Sequence, residues 1–486
     1  MGNSLPKPLV ILRHCDTYDP ERIAAIIAEG MEALGAHPHG RTMIKPNAVV
    51  AHPRHFPHAF TRPEFIDGLL RAVKAHGQGV TDLAVGERCG LTIPTRYTFA
   101  RAGYNPVLRR QHVRAEYFDE QRSVPVHLHQ PGALRPVIYV PEAVTRCDFL
   151  INAPKLKAHR GILVTAAMKN YIGLQDDAHR LIDHDHMLQN KVADLQEVIS
   201  PGLIAIDGII AGANHNLTAE PFPLHLIILG TNPVAVDATC IRMVGGDPLD
   251  LPYIRLAAER GLGPISRDEI DVCGDVPFAE ACERARGLCP PLQRIEEVYN
   301  GSSNITTYVG PPPDTYDYCW VGCSVALQDA LGIISAFQPD ARREIRPLHI
   351  LMGAYRGTIN AKPGERVLAV GDCARWSGQV HGQQVEISSL YVPRHLKDPR
   401  HAHSQGPVSA MIDARINLFR QRRQPVVRLR GCPVSIAKFM VYLSSLGDVA
   451  NPYAQIRELI PFLYAWAIHK IVRFWRTLYS PNRYTR

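Results

Sequence analysis

No run of five like charges occurs in the chain, and no uninterrupted apolar stretch reaches eighteen residues. The first absence argues against a nucleic-acid-binding tail, the second against a membrane-spanning helix. There is no G-x-G-x-x-G, Walker loop, H-E-x-x-H or nucleophile elbow, which removes the commonest dinucleotide, nucleotide, zinc-protease and serine-hydrolase signatures. The stretch Met1–Arg13 lacks the apolar core and small-residue cleavage site of a secretion signal. The expected compartment is therefore the cytoplasm, with at most a peripheral position at the inner face of the membrane. No repeat of fixed period is present.

What remains has the composition of an ordinary globular protein, with 46% hydrophobic and 21% charged residues. The net charge of +8, from 54 Lys and Arg against 46 Asp and Glu, is modest for 486 residues. That length exceeds one ordinary core, so two or three domains are expected. Eleven cysteines without a secretion context point to reduced thiols or metal ligands rather than disulfides.

Short apolar runs alternate with helical patterns through the first half. Runs beginning at Asp82, Phe149, Leu203 and Leu226 read as buried strands, and Glu21 to Leu34, Ile162 to Tyr171 and Val234 to Val244 as helices. Alternation resumes after residue 318, with a helix from Ser324 to Phe337 and strands at Leu348 to Met352, Val367 to Val370 and Val426 to Leu429. A helix is also expected from Val408 to Arg420. The expected fold is two α/β domains with largely parallel sheets, plus a short helical C-terminal tail. The divisions are residues 1–285, a linker at 286–318, a second domain at 319–450 and a basic amphipathic tail at 451–486. Residues 380–407 read as one long loop whose His381, His395, His401 and His403 match no metal spacing.

Four cysteines stand out by context. Cys319 and Cys323 lie just before a helix, Cys373 follows a strand in Gly371-Asp-Cys, and Cys432 follows another in Gly431-Cys-Pro. Ligands in doubly wound sheets collect beyond the carboxyl ends of strands, so the four can converge. Four thiolates suit a [4Fe-4S] cluster, since iron–sulfur clusters take cysteine ligands. Four buried structural cysteines, or a zinc site, are the alternatives. The order Cys-x3-Cys-Ser-Val-Ala-Leu, Gly-Asp-Cys-Ala, Gly-Cys-Pro resembles the proximal-cluster ligands of nickel–iron hydrogenase small subunits and the related quinone-oxidoreductase subunit. Those families use Cys-x2-Cys or adjacent cysteines for the first pair, so Cys319 is the ligand carried over least directly. The resemblance covers about Tyr316 to Leu446.

In the first half, Lys155, Lys157, His159 and Lys169 are candidate catalytic groups. They sit in Asn152-Ala-Pro-Lys155-Leu-Lys157-Ala-His159, with Thr165 and Lys169 at i, i+4 on an expected helix and Asn170 beside them. His184 and His186 follow. Such a cluster suits a carboxylate or phosphate, although a solvated basic helix edge has the same composition. Asp207 and Asp237 read as acid–base, metal or helix-capping groups, and Asn47 as a polar contact or an Asx turn. His52, His55 and His58 lie in a Pro-rich stretch that reads as a surface loop. Lys45-Pro-Asn47, the Asn152 motif, Thr165 to Gly173, Ile206-Asp207-Gly208 and Pro233-Val-Ala-Val-Asp237 together resemble the family called domain of unknown function 362, from about Val10 to Gly263. That family brings little settled chemistry.

Three functions follow as expectations. One is an iron–sulfur oxidoreductase passing electrons to an anionic small molecule held by Asn47, Thr165, Asn170, Asp207 and Asp237, with a redox partner protein and no nucleic acid. Another is an electron-transfer or assembly subunit, and a third is a cluster-independent isomerase or racemase using Lys and His. The tail from Leu459 carries an aromatic, apolar helix face beside Lys470, Arg473 and Arg476. It is expected either to touch a membrane weakly or to dock on the protein itself.

Overall fold

A computed structural model describes residues 6–90, 92–313, 317–393, 396 and 407–479. His395, His401 and His403 lie outside the described residues. The chain forms two compact units: residues 1–176, 189–290 and 464–486 make unit 1, and residues 177–188 and 291–463 make unit 2. Each is α/β.

Unit 1 is built on twelve strands among the described residues: β1 (Leu9–His14), β2 (Gly40–Pro46), β3 (Val80–Glu87), β4 (Arg114–Tyr117), β5 (Ser123–His127), β6 (Val137–Pro141), β7 (Phe149–Ala153), β8 (Lys155–His159), β9 (Leu163–Thr165), β10 (Leu203–Ala213), β11 (Glu220–Gly230) and β12 (Asp271–Gly274). The main sheet runs β12-β1-β11-β10-β7-β2-β3-β4, with β8 also on β10 and β9 on β8. Strands β2, β3, β4, β7 and β10 pair in parallel, whereas β11 is antiparallel to both neighbours. The Leu226 run therefore belongs to a returning hairpin strand within a mostly parallel sheet.

Local chemistry explains the helices that flank it. Helix α1 (Pro20–Leu34) starts with Pro20 and an Asp19 side chain that accepts from the Glu21 N–H, and it ends at left-handed Gly35. Helix α2 (Pro63–His76) buries Phe65, Ile66, Leu69, Leu70 and Val73, an i, i+3, i+4 pattern that faces the core. In α3 (Pro233–Met243) the Asn232 side chain caps Ala235. Between residues 155 and 174 the expected helix does not form. β8 and β9 make a small hairpin, and a 3-10 turn follows at Lys169–Leu174. Thr165 ends a strand, so it does not share a helical face with Lys169. The run Ile162-Leu-Val-Thr-Ala-Ala-Met fits either period, and the edge of β8, itself paired with β10, selects the strand: Thr165 registers with Lys157 and Leu163 with His159.

Unit 2 has five strands among the described residues: β13 (Ile305–Val309), β14 (Leu348–Ala354), β15 (Arg366–Val380), β16 (Gln383–Ile387) and β17 (Val426–Leu429). β13, β14, the first part of β15, and β17 lie side by side in parallel. The second part of β15 turns back into an antiparallel hairpin with β16, so the expected long loop begins with a strand. Its helices are α4 (Cys323–Phe337), α5 (Pro407–Arg420) and α6 (Ile436–Gly447). Residues 286–318, expected to be a linker, hold a short helix at Ile295–Tyr299 and the edge strand β13. The last helix, α7 (Ile456–Tyr479), is long and carries Pro461 within it. Its residues from Tyr464 onward pack with unit 1, where the His469 ring nitrogen lies 3.2 Å from Asp119.

Candidate functional site

In unit 2 the parallel strands deliver cysteine-bearing turns to one end of the sheet. The chain leaves β13 and reaches Cys319 and then Cys323, the first residue of α4. Cys373 follows the parallel part of β15, and Cys432 follows β17 in a turn whose Cys432–Pro433 peptide is cis. Asp372 ties the last two turns together: its N–H donates to the Gly431 carbonyl at 3.0 Å, and its carboxylate accepts from the Gly431 N–H at 3.1 Å. Ser324 Oγ donates to the Cys319 carbonyl at 2.8 Å and holds the first turn.

The four thiols converge. Burial raises the Cys323 thiol well above its ordinary range, and Cys373, Cys432 and Cys319 add to the shift. Burial, then the Asp185 carboxylate, pushes Cys319 up to about 12. Cys373 is raised by burial too. Two glycines make room. A Cβ on Gly322 would lie 2.8 Å from Cys319 Sγ, and one on Gly371, at φ +90°, would lie 3.1 Å from Cys323 Sγ and 3.7 Å from Cys373 Sγ. Among the described residues no group of three or more His, Cys, Asp or Glu is arranged to hold a single metal ion. Zinc draws four thiolates to about 2.3 Å from one centre, whereas a four-iron cube gives each cysteine its own corner and spreads the sulfurs. The donors are all sulfur, and glycine stands at two of the close approaches.

Sequence reasoning missed Asp185. The Cys432 thiol donates to Asp185 Oδ2 at 3.6 Å, and His186 Nδ1 is 3.6 Å from Asp185 Oδ1. Residues 177–188 group with unit 2. No local pattern marks this; it follows from tertiary contact alone.

Unit 1 holds a second polar centre, beyond the carboxyl ends of β2, β3 and β7. Lys45 Nζ donates to Glu87 Oε2 at 2.8 Å and to Asn170 Oδ1 at 3.3 Å. Asn47 Nδ2 donates to the same Asn170 oxygen at 3.2 Å, and Asn170 Nδ2 donates to Asn152 Oδ1 at 2.8 Å. A Cβ on Gly173 would strike the Glu87 carboxylate, which would have to shift. Asn47 Oδ1 is buried without a hydrogen-bond partner.

A third cluster adjoins it through consecutive residues: Thr61 Oγ1 accepts from the Asn47 N–H at 3.0 Å, and the Arg62 N–H donates to Asp207 Oδ2 at 3.0 Å. Lys155 Nζ donates to Asp207 Oδ2 at 2.9 Å and to Tyr18 Oη at 2.8 Å, while Tyr18 Oη donates to Asp207 Oδ1 at 2.8 Å. Lys155 and Asp207 are both 0% exposed. Burial lowers the Lys155 pKa, opposed by Asp207, and burial followed by Asp207 raises Tyr18 well above its ordinary range. His58 is half-buried and belongs here rather than to a surface loop. Burial, Lys155 and Arg62 hold its pKa down at about 4, and its Nδ1 has no partner. His52 instead accepts the backbone N–H groups of Arg54 and His55.

Lys155 is matched by Asp207, and Lys157 is fully buried with its Nζ donating to the Ala59 carbonyl at 2.6 Å. His159 Nδ1 accepts from the Gly161 N–H at 3.0 Å, Thr165 Oγ1 is buried without a partner, and Lys169 is 8% exposed. Tyr18, Arg62 and Glu87 were not singled out from sequence. Glu87 had one usable signal, a charged residue at the carboxyl end of a recognisable strand.

Asp237 is a structural anchor. Its carboxylate accepts from the Ala167 N–H at 2.7 Å and the Met168 N–H at 3.2 Å. Burial, opposed by those bonds, pushes its pKa up to about 7. The folded chain then holds this proton more tightly than the unfolded one. Its contribution to stability is complete below about pH 4, the ordinary carboxyl range, and is lost as pH rises through about 7. Asp237→Asn keeps an acceptor and removes the titration, so its denaturation midpoint should decline less over that interval. Parallel midpoint profiles for parent and variant would contradict this.

Residues 42–242 match the model of a family described as a domain of unknown function, DUF362. A similar curated protein is the Thylakoid-associated protein sll1697 of Synechocystis sp., 22% identical over 271 residues, which cover 53% of this chain and 81% of that protein. A loosely similar solved structure is the lactate racemase apoprotein from Thermoanaerobacterium thermosaccharolyticum. It shares 10% identity at a TM-score of 0.32, covering 74% of this chain and 82% of that one. At that score the likeness carries no argument.

Proposed function

We propose that the protein is an iron–sulfur redox protein whose unit 2 holds a [4Fe-4S] cluster on Cys319, Cys323, Cys373 and Cys432. The observation that carries this reading is the meeting of four thiols at the carboxyl end of one parallel sheet, with glycine at the close approaches. The sequence resemblance to the hydrogenase and quinone-oxidoreductase subunits supports it in the same order of motifs. Such a cluster supplies one-electron transfer when bound. The protein's part is to hold four thiols, exclude water around them and fix a carboxylate, Asp185, beside Cys432. An anion receptor at Lys155 is not part of this reading, since Asp207 already matches that charge. Protein purified without oxygen should be brown, absorb broadly near ~400 nm and contain about four irons per chain. Stoichiometric zinc in place of iron would overturn the proposal.

A second reading, acid–base chemistry in unit 1 without the cluster, is favoured by one observation. His58, held neutral, faces the Lys155–Tyr18–Asp207 cluster with an unpartnered ring nitrogen. Turnover of a carboxylate substrate that survives Cys373→Ala but not His58→Gln would establish it.

A further inference from the structure

We propose that one face of α7 is a membrane-contact surface that lies in the headgroup region of an anionic bilayer. The argument rests on how burial is distributed round the helix and is independent of the cluster. At 3.6 residues per turn, Glu458, Phe462, Ala465 and His469 share one side, and each is less than 10% exposed. The opposite side presents Ile456, Ile460, Tyr464, Ile471, Phe474 and Trp475, which are 51–72% exposed. A soluble helix that has already buried one side normally turns polar residues outward. This one exposes an apolar stripe from Ile456 to Trp475, about 30 Å at ~1.5 Å per residue.

Charge selects the occupant. The only acid in α7 is Glu458, which is buried, whereas Arg457, Lys470 and Arg476 are exposed. On its outward side α7 therefore presents apolar and aromatic groups beside Arg457 and Lys470 and supplies no acid of its own. A second helix packed there as a coiled coil would favour a narrower seam flanked by charges of both signs. Anionic lipid matches all three properties: acyl chains accept the apolar stripe, the headgroup layer suits Tyr464 and Trp475, and the negative surface attracts the cations. No helix among the described residues is long and apolar enough to cross a membrane, so the helix lies in the plane of the surface.

The test is co-sedimentation of the full chain with phosphatidylcholine vesicles, with and without about 30% phosphatidylserine, at low and high salt. Binding is expected on the anionic vesicles at low salt, falling several-fold at high salt and on neutral lipid. Ile471→Glu and Phe474→Glu should each cut partition by roughly tenfold or more, because a charge replaces inserted apolar surface. Both sites are exposed, so the thermal midpoint should not move. No binding to anionic vesicles at low salt would overturn the proposal. So would self-association abolished by Phe474→Glu without lipid binding, since a second copy would then cover the face.

Discussion

Cys373→Ala is expected to lower the iron content of anaerobically purified protein from about four per chain to near zero, with loss of the visible absorption. Cys373 stands where β15 leaves the parallel sheet, and its thiol is among those surrounding Cys323. Cys432→Ala should do the same. Gly371→Ala probes the site without removing a ligand. Its Cβ would press on Cys323 Sγ, and φ +90° is a conformation that alanine resists. Iron content should fall in that variant too, while Cys282→Ser, at a half-buried thiol in unit 1, should keep its iron. Full iron in the Cys373→Ala and Cys432→Ala proteins would remove the four-cysteine site from consideration.

Lys155→Ala is expected to destabilise unit 1 by about 3–5 kcal/mol, because it strands the Asp207 carboxylate in a site with no access to water. Tyr18 and the Arg62 N–H still hydrogen-bond that carboxylate, which places the loss toward the lower end of the range. Replacing both partners with apolar residues, Lys155→Met with Asp207→Leu, should recover much of it, since a buried pair and a packed apolar pair are often close in stability. The measurement is the denaturant midpoint of the unit 1 transition, read separately from unit 2 because a two-unit chain need not unfold in one step. A second readout separates charge from packing. Lys155 depresses the His58 pKa, so in Lys155→Met the imidazole should titrate at higher pH by NMR. An unchanged His58 titration and an unchanged midpoint would together show that Lys155 is not buried as described.

The same residues mark how far sequence reaches. Lys155, Lys157 and His159 were legible as a polar cluster from their motif, but their burial was not. Their alternation with Leu156 and Ala158 is a strand period, and all five positions are buried because β8 pairs with β10. The partners that change their chemistry come from distant stretches: Asp207 is 52 residues from Lys155, and Tyr18 is 137. Asp185 is 247 residues from Cys432. A one-dimensional pattern carries no record of such pairings.

By itself the sequence determined the α/β class, most strand and helix positions, and the four cysteines, because each is written in local period, turn chemistry or residue type. The tertiary structure decided which charges are matched and which cysteines meet. It also decided which side of α7 is covered. Those depend on where distant segments pack, since a side chain's charge state and exposure are set by everything folded around it.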